Sequence, residues 1–320
     1  VRNPDYYEKG RPYLDEWKIR LIASIPVIVT AFRTKQIDMI TGYIDYDQVR
    51  EFLKKHPNKY DWVEHFSNSW MRFTLASDKP PFNDKRMRQA FSMTIDRKRN
   101  LIATYPEGRG RIESIIPISL WGSIPHDKLG KASKYFQRDV EEARRMVKAA
   151  GFKTPLPIKI TYTTAYGAAW QNNVDALIAQ VNSSKAFKVT LVPREYGAYV
   201  SGAFLGKYEE EGVLALTTPP SDADEVLFDH FIPSSSRNAG RVNDPKLIKA
   251  VKAQRAETDP DKRLKILTDL QYYLAEQLYN VPTTAGPAYD VWPKWIKGYM
   301  RHNVPAYNIG DRFRLVWFDK

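Results

Sequence analysis

An α/β fold in more than one body is predicted by three features of the chain. Strand-like alternation and helix-like periodicity take turns along most of its length, capping and turn residues separate them, and 320 residues exceed what one small domain uses. Composition agrees: the chain is 43% hydrophobic and 27% charged, with a mean hydropathy of −0.51, so it can bury a sizeable core and fits neither the disordered nor the membrane-spanning class. The most apolar stretch, 19–32, is broken by Arg20, Ser24 and Pro26 and falls short of the ~18 apolar residues that a spanning helix needs. The sequence has no Cys, which excludes disulfides, thiolate metal sites and cysteine nucleophiles and suits an exported protein. It begins at Val1 with no basic-then-apolar leader, so any signal peptide is expected to have been removed or to lie upstream.

Residues 1–10 read as a turn-rich aromatic loop. Trp17 to Ile22 alternates and is expected as a half-buried strand, 27–35 as a helix and 37–40 as a short strand, together a parallel strand–crossover–strand unit. Residues 47–55 carry Val49, Phe52 and Leu53 on one helical face and stop at His56-Pro57-Asn58. Alternation at 70–76 reads as a crossing between two bodies. Asn83 or Asp84 caps a helix to Ile95 bearing Met87, Ala90 and Phe91, and Asp139 with Glu142 opens another that Gly151 closes. Strands over 158–163 and 187–192 alternate with helices over 170–181 and 196–205. The short strand 213–216 then opens into a loop over 217–224. Asp244-Pro245 and Asp259-Pro260 start two helices, the second with a core stripe of Leu264, Leu267, Leu270 and Leu274. The chain then turns aromatic, with Trp292, Trp295, Tyr299 and Tyr307, and ends strand-like over 313–318.

Charge and motifs exclude more than they assign. The balance of 49 basic to 37 acidic residues gives +12, which invites a nucleic-acid partner. Yet the basic residues are dispersed, and the densest group, Lys85, Arg86, Arg88, Arg97, Lys98 and Arg99, reads as solvated helix faces. There is no phosphate-binding glycine loop and no Gly-x-Ser-x-Gly elbow, and the five His stand far apart without metal-ligand spacing. Asp222 with Asp224 could serve glycoside chemistry, but a turn or cap fits them better. Of the 41 aromatic residues, Trp70, Tyr166, Trp170, Tyr196 and Tyr199 lie at strand ends or helix starts, where α/β folds place ligands; core packing is the alternative for each.

Five segments, in order, resemble the extracellular solute-binding proteins of family 5, the peptide and nickel class that serves ABC importers. Asn3-Pro4-Asp5-Tyr6-Tyr7 with Gly10 to Asp15 is similar to "NPDYW…GPYLDE", and Lys35 to Asp38 to "SGEID". Pro80 to Arg97 is similar to "PPFNDVRVRQALSLAIDR", Glu142 to Phe152 to "AKALLAEAGF", and Ala256 to Gln271 to "ARAETDPEKR…LYRELQ". The resemblance implies type II periplasmic-binding-protein-like lobes, mixed sheets flanked by helices, with one lobe complete and one partial. It divides the chain into 1–75 (partial lobe I), 76–283 (lobe II, which holds the ligand) and 284–320 (return to lobe I), with hinge crossings at 70–76 and 281–287. It further implies that the chain is the C-terminal part of a longer protein.

By the same resemblance the protein is a non-enzymatic, extracytoplasmic solute-binding component. It needs no cofactor and no metal, is monomeric, and reaches the membrane through ABC permease subunits or an upstream lipid anchor. Its ligand would be extended and polar, an oligopeptide or peptide-like molecule, with an oligosaccharide as the alternative. Outside the family, a basic nucleic-acid-binding protein and a glycoside-active enzyme are the competing classes. Peptide binders of the family pair the ligand's amino terminus with an Asp in a "GW-x-x-D…DPD" stretch. Here Leu216 stands at the Trp, Pro219 at that Asp, and Asp222-Ala223-Asp224 at "DPD". The expected ligand-facing residues are Trp70, Arg72, Tyr166, Trp170, Tyr196, Thr217, Thr218 and Asp222, and an anionic ligand would be met by Arg72 or Arg194.

Overall fold

In the computed structural model, which describes residues 2–20, 22, 25–44, 46–66, 68–217, 219–300 and 313–319, the chain divides between two units. One is Val1–Ser67 with Gly286–Lys320, the other Asn68–Ala285. The first contribution to the smaller unit is α1 (Ile25–Arg33), β1 (Ile40–Ile44), α2 (Tyr46–Lys55) and β2 (Tyr60–Phe66). Ile28, Val29 and Phe32 of α1 and Val49 and Phe52 of α2 recur at helical spacing and are buried together.

The larger unit opens with β3 (Met71–Leu75), α3 (Lys85–Met93), α4 (Arg97–Thr104) and the short β4 (Arg111–Ile112). It continues through α5 (Val140–Ala149), β5 (Leu156–Thr163), α6 (Ala168–Ser183), β6 (Phe187–Arg194), α7 (Tyr196–Ser201) and β7 (Gly212–Leu216). It closes with α8 (Ala223–Phe231), α9 (Pro245–Ala256), α10 (Pro260–Gln277), β8 (Asn280–Pro282) and β9 (Thr284–Ala285). The chain then returns to the smaller unit as β10 (Pro287–Pro293), β11 (Ile296–Lys297) and β12 (Trp317–Phe318).

Five strands of the larger unit form one mixed sheet in the order β6-β5-β7-β3-β8. β5 runs parallel to β6 and β7, and β3 runs antiparallel to β7 and β8. The carboxyl ends of β5, β6 and β7 therefore share an edge with the start of β3. Helices cover both faces, so every residue of β3 is buried. Met71, Phe73 and Leu75 join the core under α3, α5 and α6, where Phe82, Phe91 and Phe187 pack edge to face or tilted. Trp70, on the opposite face from Met71, joins the core made by α8, α9 and α10. Gly212 is required by close approach, because a Cβ there would stand 2.8 Å from the Thr74 carbonyl oxygen.

Local signals set the helix ends. Asp84, Asp96, Asp139, Asp222, Asp244 and Asp259 each accept a backbone N–H of the helix they precede. Pro stands at the start of α9 and α10, and Gly151 takes the left-handed conformation (φ 88°) after α5.

Several expectations are corrected. Residues 17–20 form no strand: Trp17 instead stacks on Phe313 at 4.4 Å, Ile19 is exposed, and no neighbouring strand takes the segment up among the described residues. The first strand runs over 40–44 rather than 37–40 and is antiparallel to β10, so no parallel crossover unit forms there; β10 lies between β1 and β2. The helix expected over 196–205 breaks at Gly202 into α7 and a 3-10 turn. Leu264 of the α10 stripe is exposed. Only Trp317 and Phe318 of 313–318 pair as strand, with β11. Tyr307 lies outside the described residues.

Two of the arginines read as solvated are buried. Arg97 donates to the carbonyls of Pro282 (2.9 Å) and Phe136 (2.8 Å) and to Ser92 Oγ (2.8 Å). Arg88 donates to the Gln277 and Phe82 carbonyls, both at 2.6 Å, and lies over the Tyr279 ring. Burial lowers their pKa values to about 9 and about 10, which leaves both charged at neutral pH. The Pro80–Arg97 block is thus architectural, tying α3 and α4 to the end of α10 and to β8.

Candidate functional site

The shared edge of the large sheet collects most of the expected site residues, in two groups. The first is aromatic. Tyr166, in the turn after β5, meets Trp170 of α6 at 5.1 Å, Tyr196 of α7 at 5.8 Å and Tyr199 at 6.4 Å, all edge-on. Trp170 is buried, and its indole donates to the Thr163 carbonyl (2.8 Å), so it fixes the turn rather than presenting a polar atom. Tyr199, also buried, donates to the Leu214 carbonyl (3.1 Å), and its pKa is raised by burial. Tyr196 remains 48% exposed, the ring of this group most open to solvent.

The second group is polar and lies where β3 begins beside the end of β7. Trp70 N donates to Thr217 Oγ1 (3.1 Å), Thr217 N donates to the Trp70 carbonyl (3.1 Å), and Ser69 Oγ donates to the Thr217 carbonyl. Asn68 Nδ2 donates to the Pro220 carbonyl (2.8 Å), so Thr217 and Pro220 are held against 68–70. Arg72 lies beneath, 2% exposed, with Nε donating to Thr74 Oγ1 (3.0 Å) and Nη2 facing His230 Nδ1 (3.2 Å). Burial lowers the Arg72 pKa to about 10, so the guanidinium is still charged at neutral pH. Burial and the Arg72 charge together hold His230 well below its ordinary range. A neutral His230 accepts from Arg72 at Nδ1, with its proton on Nε2. Tyr199 links the two groups: its ring is in the aromatic set, and its phenol and Arg72 perturb each other's ionisation.

Asp222 stands apart from both groups. It caps α8 through Asp224 N (2.7 Å) and pairs with Arg263 of α10 (3.3 Å), while Asp224 pairs with Arg255 (2.8 Å). Thr218 lies outside the described residues. Arg194 is matched by Glu210 at 2.8 Å. A cavity of 570 Å³ beside α7, lined by Lys79, Arg194, Lys207, Tyr208 and Arg241 among others, includes Arg194 but none of the eight expected ligand-facing residues. Two of its arginines are neutralised locally, Arg194 by Glu210 and Arg241 by Asp78, so the sheet edge is the better candidate.

Sequence reasoning missed His230 because 217–224 read as a loop and α8 was not foreseen. A signal was present: Glu225 follows Asp222 by three residues and reaches back to Ser221 N (3.1 Å), a variant of the capping box, with Val226, Leu227, His230 and Phe231 behind it at helical spacing.

Residues 1–216 match the family model described as bacterial extracellular solute-binding proteins, family 5 Middle. Among curated proteins, the chain is 23% identical over 323 residues to the periplasmic oligopeptide-binding protein OppA of Salmonella typhimurium, covering 93% of this chain and 54% of that protein. Among solved structures it is similar to AgaA of A. tumefaciens R10 in complex with agropinic acid (TM-score 0.81, 21% identity, 99% of this chain and 63% of that one). It is also similar to DppA of Helicobacter pylori in complex with the peptide STSA (TM-score 0.77, 21% identity, 100% and 60%). The fold is that of these periplasmic binding proteins, and the chain spans about half the length of the curated relatives it matches.

Proposed function

The chain belongs to the bacterial extracellular solute-binding proteins of family 5, and on that premise we propose that it is part of the solute-binding component of an ABC importer. It works outside the cytoplasmic membrane, holds an extended polar ligand, oligopeptide or peptide-like, and delivers it to permease subunits without chemical change. The unit Asn68–Ala285 is the ligand-binding lobe; Val1–Ser67 with Gly286–Lys320 is part of the other. The observation that carries this reading is the edge at the carboxyl ends of β5, β6 and β7. There an open aromatic face at Tyr196, backed by Tyr166, adjoins the polar group of Trp70, Thr217 and Arg72. Rings offer contact area without demanding a particular side chain, and fixed polar groups orient a main chain. Asp222 enters this reading as the cap that positions the loop.

The exposed ring also favours a second ligand, an oligosaccharide, since sugars stack on aromatic faces. Native mass spectrometry of the protein purified without refolding separates the two. A ladder of short peptides supports the peptide reading, a sugar mass supports the second, and hydrolysis of an aryl glycoside by the protein would overturn both.

A further inference from the structure

Arg72 differs from the other buried arginines in what it touches. Arg97 and Arg88 give their donors to carbonyl, hydroxyl and amide oxygens. Among the described residues, Arg72 hydrogen-bonds to Thr74 and the neutral ring of His230, and its Nη1, fully buried, has no acceptor there. The Trp70 ring lies 5.7 Å from the Arg72 guanidinium carbon, and Trp70 Nε1 is likewise buried without an acceptor among the described residues. A buried donor without a partner is costly, a charged one more so, and two on adjoining side chains suit one acceptor with two oxygens. The nearby carboxylate is engaged elsewhere: Asp229 pairs with Arg237 (3.3 Å). The unpartnered atoms here, Arg72 Nη1 and Trp70 Nε1, are both donors, suited to an anion rather than an ammonium.

We propose that Arg72 Nη1 and Trp70 Nε1 receive a carboxylate of the ligand, so that the site selects acidic solutes, whether a peptide through its free carboxyl end or a small organic acid. This rests on the solute-binding reading of the sheet edge, not on which solute is carried. Entry requires the contacts of Thr217 with Trp70 and of Pro220 with Asn68 to yield.

The test is the indole N–H region of the ¹⁵N-labelled protein, in which one of the eight Trp signals is assigned to Trp70 by its loss in Trp70→Phe. Acetate should move the Trp70 signal while acetamide does not, the other indoles controlling for ionic strength. Trialanine should bind at least about tenfold more tightly than its carboxamide, and Arg72→Gln should abolish that preference. Trp70→Phe, which keeps the ring packed, should reduce it and guards against misfolding of the Arg72 variant. A Trp70 signal indifferent to acetate overturns the proposal. Equal binding of trialanine and its amide also overturns it while leaving the peptide reading intact. An acetate response with neither peptide bound upholds the carboxylate site and overturns the peptide reading.

Discussion

Arg72 and His230 show how one buried charge dictates the state of its neighbour. A guanidinium can only donate, so His230 must accept, and a protonated imidazole would set two cations 3.2 Å apart in a dry site. His230 is therefore held neutral in the folded state, while in the unfolded chain it protonates near its ordinary pKa of 6.5. Below that value the unfolded state binds the extra proton, so the contribution of His230 is complete above 6.5 and is lost progressively as the pH falls further. The melting temperature should drop between about pH 7.5 and 5.5, and His230→Gln should flatten the profile. A remnant slope should persist, because burial also lowers His126. A slope unchanged by the substitution would show that His230 takes up protons alike in the folded and unfolded states.

Elements carry their own start signals, and the structure ranks them. Asp139 accepts one backbone N–H, that of Glu142 (2.9 Å). Asp244 accepts from Lys246 N and Leu247 N and also from the hydroxyls of Tyr273 (2.6 Å) and Tyr279 (3.0 Å), so it joins α9 to the end of α10. Asp139→Ala should cost about 1 kcal/mol. Asp244→Ala should cost more, about 2–3 kcal/mol, because two tyrosine hydroxyls lose their acceptor as well as the helix its cap. Urea unfolding checks both, with midpoints falling in that order and m-values unchanged. Asp222 is the same device in another position. Its likeness to an active-site carboxylate dissolves once α8 and Arg263 are seen to occupy it.

At the scale of the molecule, the larger unit contains every partner of its central sheet and the cores on both faces, within the continuous segment Asn68–Ala285. The smaller unit depends on two distant stretches, since β10 must arrive between β1 and β2. Residues 68–285 produced alone should fold cooperatively, with near-ultraviolet circular dichroism and a single urea transition. Residues 1–67 alone should lack both signals, because the strand that joins their sheet is missing. A disordered 68–285 fragment would show that the larger unit needs the smaller one.

The sequence by itself determined what short-range physics governs. Its helix caps, the alternation of β3, β5 and β6, the family and the aromatic set at the strand ends were all legible, because each depends on neighbours within a turn or a strand. Only the tertiary structure decided which charges are buried and what they meet. Arg88, Arg97 and Arg72 look alike in a list of basic residues, yet the first two are tied to carbonyls and the third keeps a donor without an acceptor among the described residues. The false strand at Trp17 and the missed partner of β1 have the same origin. Pairing and burial are set by segments far apart in the chain, and the free energy of a polar group depends on those distant partners rather than on the residues beside it.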